Sequence, residues 1–379
     1  MKRTLILSLI ACGSVTSIGL AQSAPMTVSQ VAPGFQLPQF GGDFSYSLSA
    51  SQSIITGYSG SGGAVSSTNL SGNLAYASSS ETHPFGIIYS GGYMVSESNA
   101  FPSSAFHNLA LSQSYKTRNW NFVISDTISY LPMSPVSGLS GIPGIGDLGI
   151  SPVQVGTYTG SGILSNYAPR VSNIVGGTVQ RSLTGRTSVQ GGATYAIERF
   201  VDHGAAQFDG YDSNQLEVTG GLTHRLNARN SFGASYVYSD FTYTSTATPF
   251  SFKSNGVNVD YVHHWSPRLA LDVSMGPQWN SGSTFSSTSI SLAAAILLSY
   301  STERSSFSLA YVRGTSTGTG VVEGTLSDTV GFTAQRRLSR VLSVAATASY
   351  ARSRSLPNLA FAPFTVDGEV VGGQATRGL

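Results

Sequence analysis

The residues best suited to chemistry are two adjacent histidines with a carboxylate on either side. His263 and His264 lie between Asp260 and Asp272, and such a set could bind a metal ion or supply a histidine-based catalytic site. The surrounding residues alternate between apolar and polar types, however, and successive side chains of a strand point to opposite faces. His263 and His264 therefore cannot bind the same ion. The pattern favours a rim histidine beside Trp265.

Other reactive side chains give a weaker signal. Cys12 is the only cysteine, and it lies in an N-terminal segment that we expect to be removed, which leaves no thiol for a disulfide, a metal site or a nucleophile. A serine hydrolase needs a serine beside a histidine, but serine is so abundant that no pair stands out. Glycine pairs such as Gly191-Gly192 are followed by no helical pattern and are not phosphate loops. We therefore predict no enzyme, no cofactor and no metal site.

A short basic turn recurs along the chain. Each copy has a large or basic residue, a small turn-former and then Arg, and the clearest copies are Gln180–Arg186, His224–Arg229, His264–Arg268 and Arg336–Arg340. With weaker copies included, the turns centre on residues 82, 117, 184, 227, 266, 303 and 339. A period near 40 residues over most of the chain indicates one repeated supersecondary unit.

Composition narrows the class of that unit. Only 10% of the residues are charged, against roughly 25% in a typical soluble domain, and mean hydropathy is +0.05. The longest apolar run, Leu292–Leu298, is far shorter than the roughly 20 residues of a membrane-spanning helix. The balance fits a sheet with one face in lipid. A disordered Gly- and Ser-rich polymer is the alternative, which the period-two placement of the aromatic residues disfavours.

The N-terminus is predicted to direct export. Residues 1–21 combine two basic residues, the apolar segment Leu5–Leu20 and a small-x-small site ending at Ala21, as in a cleaved signal peptide. A lipoprotein signal ending at Cys12 is the alternative, and it would have an unusually short apolar region. The Pro- and Gly-containing residues 22–42 are predicted to be a periplasmic linker.

Residues 43–379 are predicted to form strands. From Phe85 to Val95, from Trp120 to Tyr130 and again from Ile290 to Tyr300, large apolar residues occupy most of the alternate positions. Two strands of roughly 12 residues fill each repeat, and a membrane strand needs about 9–11. The count is about 16 strands in an all-β, transmembrane, antiparallel up-and-down β-barrel. The chain stops in what looks like the first half of another turn, so a parent barrel of 18 strands is the alternative.

The connections and charges divide between two rims. Most lysines and arginines lie in or beside the short turns, which are predicted to be periplasmic. The longer connections, predicted to face outward, centre on residues 57–65, 97–104, 132–170, 200–211, 245–251, 280–287, 314–323 and 352–366. A β-propeller also repeats near 40 residues, but its four short strands per blade do not fit such long alternating runs.

With this period, strand count and signal, residues 43–379 resemble Gram-negative outer-membrane β-barrels, specifically porin-like channels. The resemblance rests on architecture rather than on an invariant motif. In general porins the third outward loop folds into the lumen and narrows it. The corresponding connection, 132–170, holds Asp147 and Arg170 as its only charges, unlike the acidic porin constriction. It could fold inward, or it could stay outside and cap the mouth.

The predicted lumen face is rich in Ser, Thr, Gly, Ala, Asn and Gln. A barrel of 16 strands leaves a water-filled channel, and rings of charge set the ion preference of a pore. The carboxylates predicted to line it would favour cations, whereas Arg225 and the rim arginines would oppose that preference. These carboxylates are Asp126, Glu198, Glu217, Asp260 and Asp272. The alternative is that they are solvated lumen residues without a selective role.

Two functions follow as expectations. The first is passive diffusion of small polar solutes through an outer-membrane channel, and the second is a structural or surface-interaction barrel whose lumen is blocked by residues 132–170. The resemblance implies outer-membrane lipid and the barrel-assembly machinery as partners, and it is compatible with a homo-oligomer. No nucleic-acid partner is expected, because no basic stripe lies outside the turns.

Overall fold

The computed structural model describes an all-β chain. The described residues are 9–11, 44–55, 65–78, 80, 82–96, 103–131, 170–201, 212–244, 250–282, 285–318, 323–339, 342–356 and 365–377. A search of these ranges for a helix long and apolar enough to cross a membrane finds none.

The described residues form one strand of three residues and sixteen strands of 12 to 17 residues. In chain order they are β1 (Leu9–Ala11), β2 (Phe44–Ile55), β3 (Val65–Ala77), β4 (Phe85–Ser96), β5 (Ser104–Lys116), β6 (Trp120–Leu131), β7 (Arg170–Ser182), β8 (Thr187–Phe200), β9 (Ser213–Arg225), β10 (Asn230–Tyr243), β11 (Phe250–Ser266), β12 (Leu269–Gly282), β13 (Ser289–Ser301), β14 (Ser305–Gly318), β15 (Glu323–Arg337), β16 (Leu342–Ser355) and β17 (Thr365–Arg377). The sixteen long strands confirm the predicted count, and each is long enough to span a bilayer.

Each long strand pairs antiparallel with its neighbours in the sequence, from β2 through to β17. Around β10, for example, Tyr236 lies opposite Gly220 of β9 and Val257 of β11. The short β1, which belongs to the predicted signal peptide, pairs with β2 and lies beside β17. The chain therefore forms an up-and-down meander, as predicted, with β1 between its two ends.

The predicted short turns join the strands at one end of the meander, called here the turn end, and the longer connections leave from the other, the loop end. Five turns share one hydrogen-bonding device, in which a small polar side chain accepts backbone N–H groups two or three residues later at 2.8 to 3.2 Å. The acceptors and their donors are Thr117 with Trp120, Thr184 with Arg186 and Thr187, Asn227 with Arg229 and Asn230, Ser266 with Arg268 and Leu269, and Thr302 with Ser305. The turn-former of the repeat is thus the residue that closes each turn.

Large apolar side chains cover the outward face of the sheet. They follow the predicted period of two, and they include Leu70, Ile124, Tyr195, Phe232, Val257, Ile290, Leu309 and Phe332, all exposed. Aromatic rings of this face pair near the turn end, as Trp120 does with Phe122 and Tyr300 with Phe307, at centroid distances of 5.5 and 6.0 Å. A continuous apolar belt of this size is stable in a bilayer rather than in water.

One region departs from a regular barrel wall. The pairing of β13 with β14 ends at Ala294 and Arg313, although β13 continues along β12 to Ser289 and β14 continues along β15 to Gly318. Beyond that point Thr315 Oγ1 donates a hydrogen bond to Asn280 Oδ1 of β12, at 3.2 Å. The loop-end parts of β14, β15 and β16 therefore lie inside the curve of β10–β12.

An aromatic cluster holds this overlap together. By alternation Leu326 and Leu356 share the outward face of β15 and β16, yet both are buried against rings from the inner face of β10 and β11. The cluster comprises Phe241, Tyr243, Phe250, Phe252, Leu326 and Leu356, with Phe285 packed against it. Tyr243 OH accepts a hydrogen bond from the N–H of Gly324 at 3.0 Å, which ties the overlap to β10.

Candidate functional site

The candidate site is the inner face of the sheet, which is polar along most of its length. Its buried side chains include Ser112, Thr127, Ser129, Gln215, Ser239, Ser254, Ser274, Asn280 and Ser289. Several bond across neighbouring strands: Ser129 Oγ donates to Asn108 Oδ1 at 3.2 Å, and Gln278 Nε2 donates to Ser254 Oγ at 2.6 Å. Small hydroxyl and amide groups of this kind make the inner face polar.

Three of the predicted carboxylates lie on this inner face without an arginine or lysine partner among the described residues, although His264 lies diagonally beside Asp272. Glu217 of β9 accepts a hydrogen bond at Oε2 from Ser239 Oγ, at 3.4 Å. In register, Asp260 of β11 lies opposite Ser274 and Asp272 of β12 lies opposite Val262, which makes the two carboxylates diagonal neighbours. Among the described residues none of the three carboxylates forms an ion pair. Asp260 and Asp272 thus form one acidic pair near the turn end, whereas Glu217 is level with Ser254, six residues along β11 from Asp260, and lies apart from them.

A fourth carboxylate is neutralised. Glu198 lies on the inner face of β8, and its Oε2 is 3.9 Å from Arg170 Nε at the start of β7. Both groups are largely buried, so their charges offset each other instead of projecting a net charge into the lumen. The structure thus brings together two of the predicted site residues, whose interaction with each other was not foreseen.

One predicted lumen position is corrected. Asp126 lies on the face of the exposed Ile124 and Ile128, and so on the apolar outward side, where Asn173 Nδ2 donates a hydrogen bond to Asp126 Oδ1 at 2.7 Å. Because lipid offers no partner to a carboxylate, this bond is the polar contact that stabilises Asp126. Arg225 shares the parity of Glu217 and ends β9 at the turn end, where its Nη2 donates to the carbonyl of Gly185 at 2.8 Å.

The remaining predicted positions are settled as follows. Asp147 lies outside the described residues. His263 Nδ1 is 2.7 Å from Asn230 Oδ1, and its ring packs edge-on against Trp265 with centroids 4.9 Å apart, which is the structural environment expected for it. In the described part of the chain no group of three or more His, Cys, Asp or Glu side chains could hold a metal ion.

The aromatic cluster is the part of the inner face that sequence reasoning missed. The sequence does contain a signal for this cluster. Phe241 and Tyr243 share the parity of Ser239, and Phe250 and Phe252 share that of Ser254. Aromatic rings therefore occupy the otherwise polar face of two adjacent strands. Gln215 lies opposite Phe241 and is fully buried, and neither of its amide atoms has a hydrogen-bond partner among the described residues.

An apolar belt outside, a polar face inside and sequential antiparallel strands of membrane-spanning length define the class. The chain is a transmembrane up-and-down β-barrel of the outer-membrane type.

Comparison with known proteins adds fold likeness only. No protein family and no curated protein matches the chain. Among solved structures, it is similar to BauA, the ferric preacinetobactin receptor from Acinetobacter baumannii, with 10% identity and a TM-score of 0.41 over 88% of this chain and 65% of that one. It is also similar to the unliganded ferric citrate transporter FecA, with 11% identity and a TM-score of 0.36 over 96% of this chain and 60% of that one.

A further similar structure is a mutant of Rh. blastica porin, with 11% identity and a TM-score of 0.31 over 88% of this chain and 99% of that one. The chain thus spans about two thirds or less of the length of the two receptors and nearly the whole length of the porin. At these identities and TM-scores, neither ligand nor function carries over to this chain.

Proposed function

We propose that the protein is an outer-membrane channel for passive diffusion of small polar solutes, with a preference for cations over anions. The observation that carries the proposal is the contrast between the two faces of one sheet. The outer face is an exposed apolar belt, and the inner face has hydroxyl and amide groups with three carboxylates that form no ion pair with an arginine or lysine of the described residues. A bilayer covers the first surface, and the polar part of the second, away from the aromatic cluster, suits water or solute.

The cation preference follows from the inner charges. Glu217, Asp260 and Asp272 attract cations and repel anions in a lumen with walls of low dielectric constant, which focus the field. The ion pair of Arg170 and Glu198 contributes little to this field because its charges cancel. The expected substrates are therefore small, polar and neutral or positively charged.

Reversal potentials across planar bilayers test both parts of the proposal. Purified, folded protein should give discrete conductance steps, and a KCl gradient should give a reversal potential of the sign expected for cation selectivity. The triple variant Glu217→Gln, Asp260→Asn, Asp272→Asn should retain the steps but move the permeability ratio towards one. Asp240→Asn is the matched control, since Asp240 lies on the outward face opposite Lys253 and should not alter selectivity.

A second candidate is a structural or surface-interaction barrel with a closed lumen. The aromatic cluster favours it, because the overlap of β14–β16 occupies inner space at the loop end. Folded protein that never conducts would exclude the channel and support this candidate. A conductance step that grows when residues 136–165 are deleted would instead support a channel narrowed by the third connection.

A further inference from the structure

The turn end carries a ring of basic side chains. Nine arginines and Lys116 lie in or directly beside the short turns, and every one of the arginines is exposed: Arg118, Arg181, Arg186, Arg225, Arg229, Arg268, Arg304, Arg336 and Arg337. Glu303 is the single acidic side chain among the described residues of these turns. Among the described residues of the turns, the ring therefore has almost nothing to neutralise it.

The interactions that these arginines do make leave their charge intact. Arg225 donates to the carbonyl of Gly185, and Arg181 lies over the ring of Trp120 at 4.9 Å from its centroid. Among the described residues no ion pair involves an arginine of the turn end. A high density of uncompensated guanidinium groups costs repulsion, which an anionic ligand would relieve.

Large apolar side chains accompany the arginines in the same turns. Leu183, Leu226 and Trp265 are each about half exposed, and an arginine follows each of them three residues later: Arg186, Arg229 and Arg268. Leu338 is exposed in the same manner. A ring that combines half-exposed apolar groups with cations suits the boundary between acyl chains and headgroups better than it suits bulk water.

The depth of the basic ring in the membrane agrees with a position at the boundary between acyl chains and headgroups. Arg229 and Arg304 precede the exposed belt residues Phe232 and Phe307 by three positions. At a rise of about 3.4 Å per residue on a strand tilted by about 40°, the arginine backbones lie at most about 8 Å beyond the aromatic belt. That belt marks the edge of the hydrocarbon, and the headgroup layer extends about 5–8 Å beyond it on each side. The long guanidinium side chains therefore reach the lipid phosphates.

We propose that the turn end is a binding surface for anionic phospholipids, whose phosphates pair with Arg186, Arg229 and Arg268 while Leu183, Leu226 and Trp265 contact the upper acyl chains. Arginine suits this ligand because its planar guanidinium binds phosphate oxygens in pairs. The inference rests on the position of the barrel in a membrane and not on whether its lumen conducts.

Quenching of tryptophan fluorescence by brominated lipids tests the proposal on the full-length protein in vesicles. Trp120 and Trp265 lie at the turn end and Trp279 lies towards the loop end, so the comparison is made in a Trp279→Phe background, in which the two remaining tryptophans report the lipids bound at the turn end. Brominated phosphatidylglycerol should quench this protein more strongly than brominated phosphatidylcholine at equal mole fraction, and 1 M NaCl should remove the difference. Equal quenching by the two lipids at low salt would overturn the proposal.

Two double variants locate the effect. Arg229→Gln with Arg268→Gln, on the two turns nearest Trp265, should lower the preference for phosphatidylglycerol by up to about fivefold per arginine. Lys253→Gln with Arg352→Gln at the loop end should leave it unchanged. An equal loss in both doubles would contradict a local site. If quenching does not depend on lipid charge but the protein binds soluble polyglutamate, the ligand of the basic ring is an acidic protein instead.

Correct folding is checked separately by the heat-dependent gel mobility of each variant, and single-channel conductance is recorded in parallel. Lipid selectivity without conductance would support this inference while refuting the channel, and conductance without lipid selectivity would do the reverse. The failures of the two proposals are thereby distinguishable.

Discussion

The two ends of the barrel hold their charges in opposite ways. At the loop end carboxylates neutralise the arginines, with Arg313 and Arg354 at 3.2 and 3.4 Å from the two oxygens of Asp328. At the turn end the exposed arginines face Glu303 alone among the described acidic groups. The same strands thus run from an end whose arginines form ion pairs to an end whose arginines form none among the described residues.

The two ends also differ in what fixes the backbone. The loop end is held by contacts between residues far apart in the sequence, through the aromatic cluster and the hydrogen bond from Gly324 to Tyr243. The turn end is held by local bonds such as those that Asn227 accepts from the next turn residues. Long-range packing should therefore dominate stability at one end, and local turn chemistry at the other.

The largest expected difference between the ends concerns phenylalanine. Phe252→Ala should lower the free energy of unfolding by roughly 3–5 kcal/mol, because it leaves a cavity in a closed cluster. Phe232→Ala, near the turn end on the exposed outward face, should cost no more than about half as much, since lipid or detergent fills the vacated space. Denaturant titrations in detergent, followed by tryptophan fluorescence, measure both, and equal losses would contradict the contrast.

A smaller effect is expected from the acidic residues. Asp328→Asn removes the counter-charge of Arg313 and Arg354 and the acceptor of the Tyr311 hydroxyl, and it should destabilise by about 1–2 kcal/mol because the site is only partly shielded from solvent. Glu303→Gln at the turn end should change stability by less than about 0.5 kcal/mol. The same denaturant titration measures both changes in stability. A larger loss for Glu303→Gln would mean that the turn-end arginines are paired after all.

The smallest effect tests the turn device itself. Asn227→Ala removes the acceptor for the N–H groups of Arg229 and Asn230 and should cost roughly 0.5–1.5 kcal/mol. Asn227→Ser should recover most of that loss, because Ser266 performs the same task in the next turn. If Ser restores nothing, the side-chain bond is not what closes the turn.

Local chemistry explains why so much of the fold was predictable. Thr184, Asn227 and Ser266 close their turns through bonds to residues two or three positions away, and a local signal of this kind is visible in a linear sequence. Period-two alternation then fixes the two faces of each strand. Even here one anchor shifts by a residue, since Thr302 and not Glu303 closes the turn between β13 and β14.

The missed features depend on distant partners. The sequence prediction groups Asp126 with the lumen carboxylates, although its parity with Ile124 and Ile128 indicates the lipid side. What stabilises it there is Asn173 on the next strand, 47 positions away. The burial of Leu326 against Phe252 likewise cannot be predicted from the sequence, because alternation indicates which face a residue occupies and not what packs against that face.

The contrast between inner and outer face is the central claim, and cysteine accessibility tests it most directly. In a Cys12→Ser background, Glu217→Cys and the adjacent Leu216→Cys are exposed to a charged, water-soluble methanethiosulfonate reagent while single-channel current is recorded. Glu217→Cys should react, and its current should fall in steps, whereas Leu216→Cys in the lipid belt should give unchanged current. Reaction at position 216 but not at 217, or folded protein that never conducts, would contradict the account.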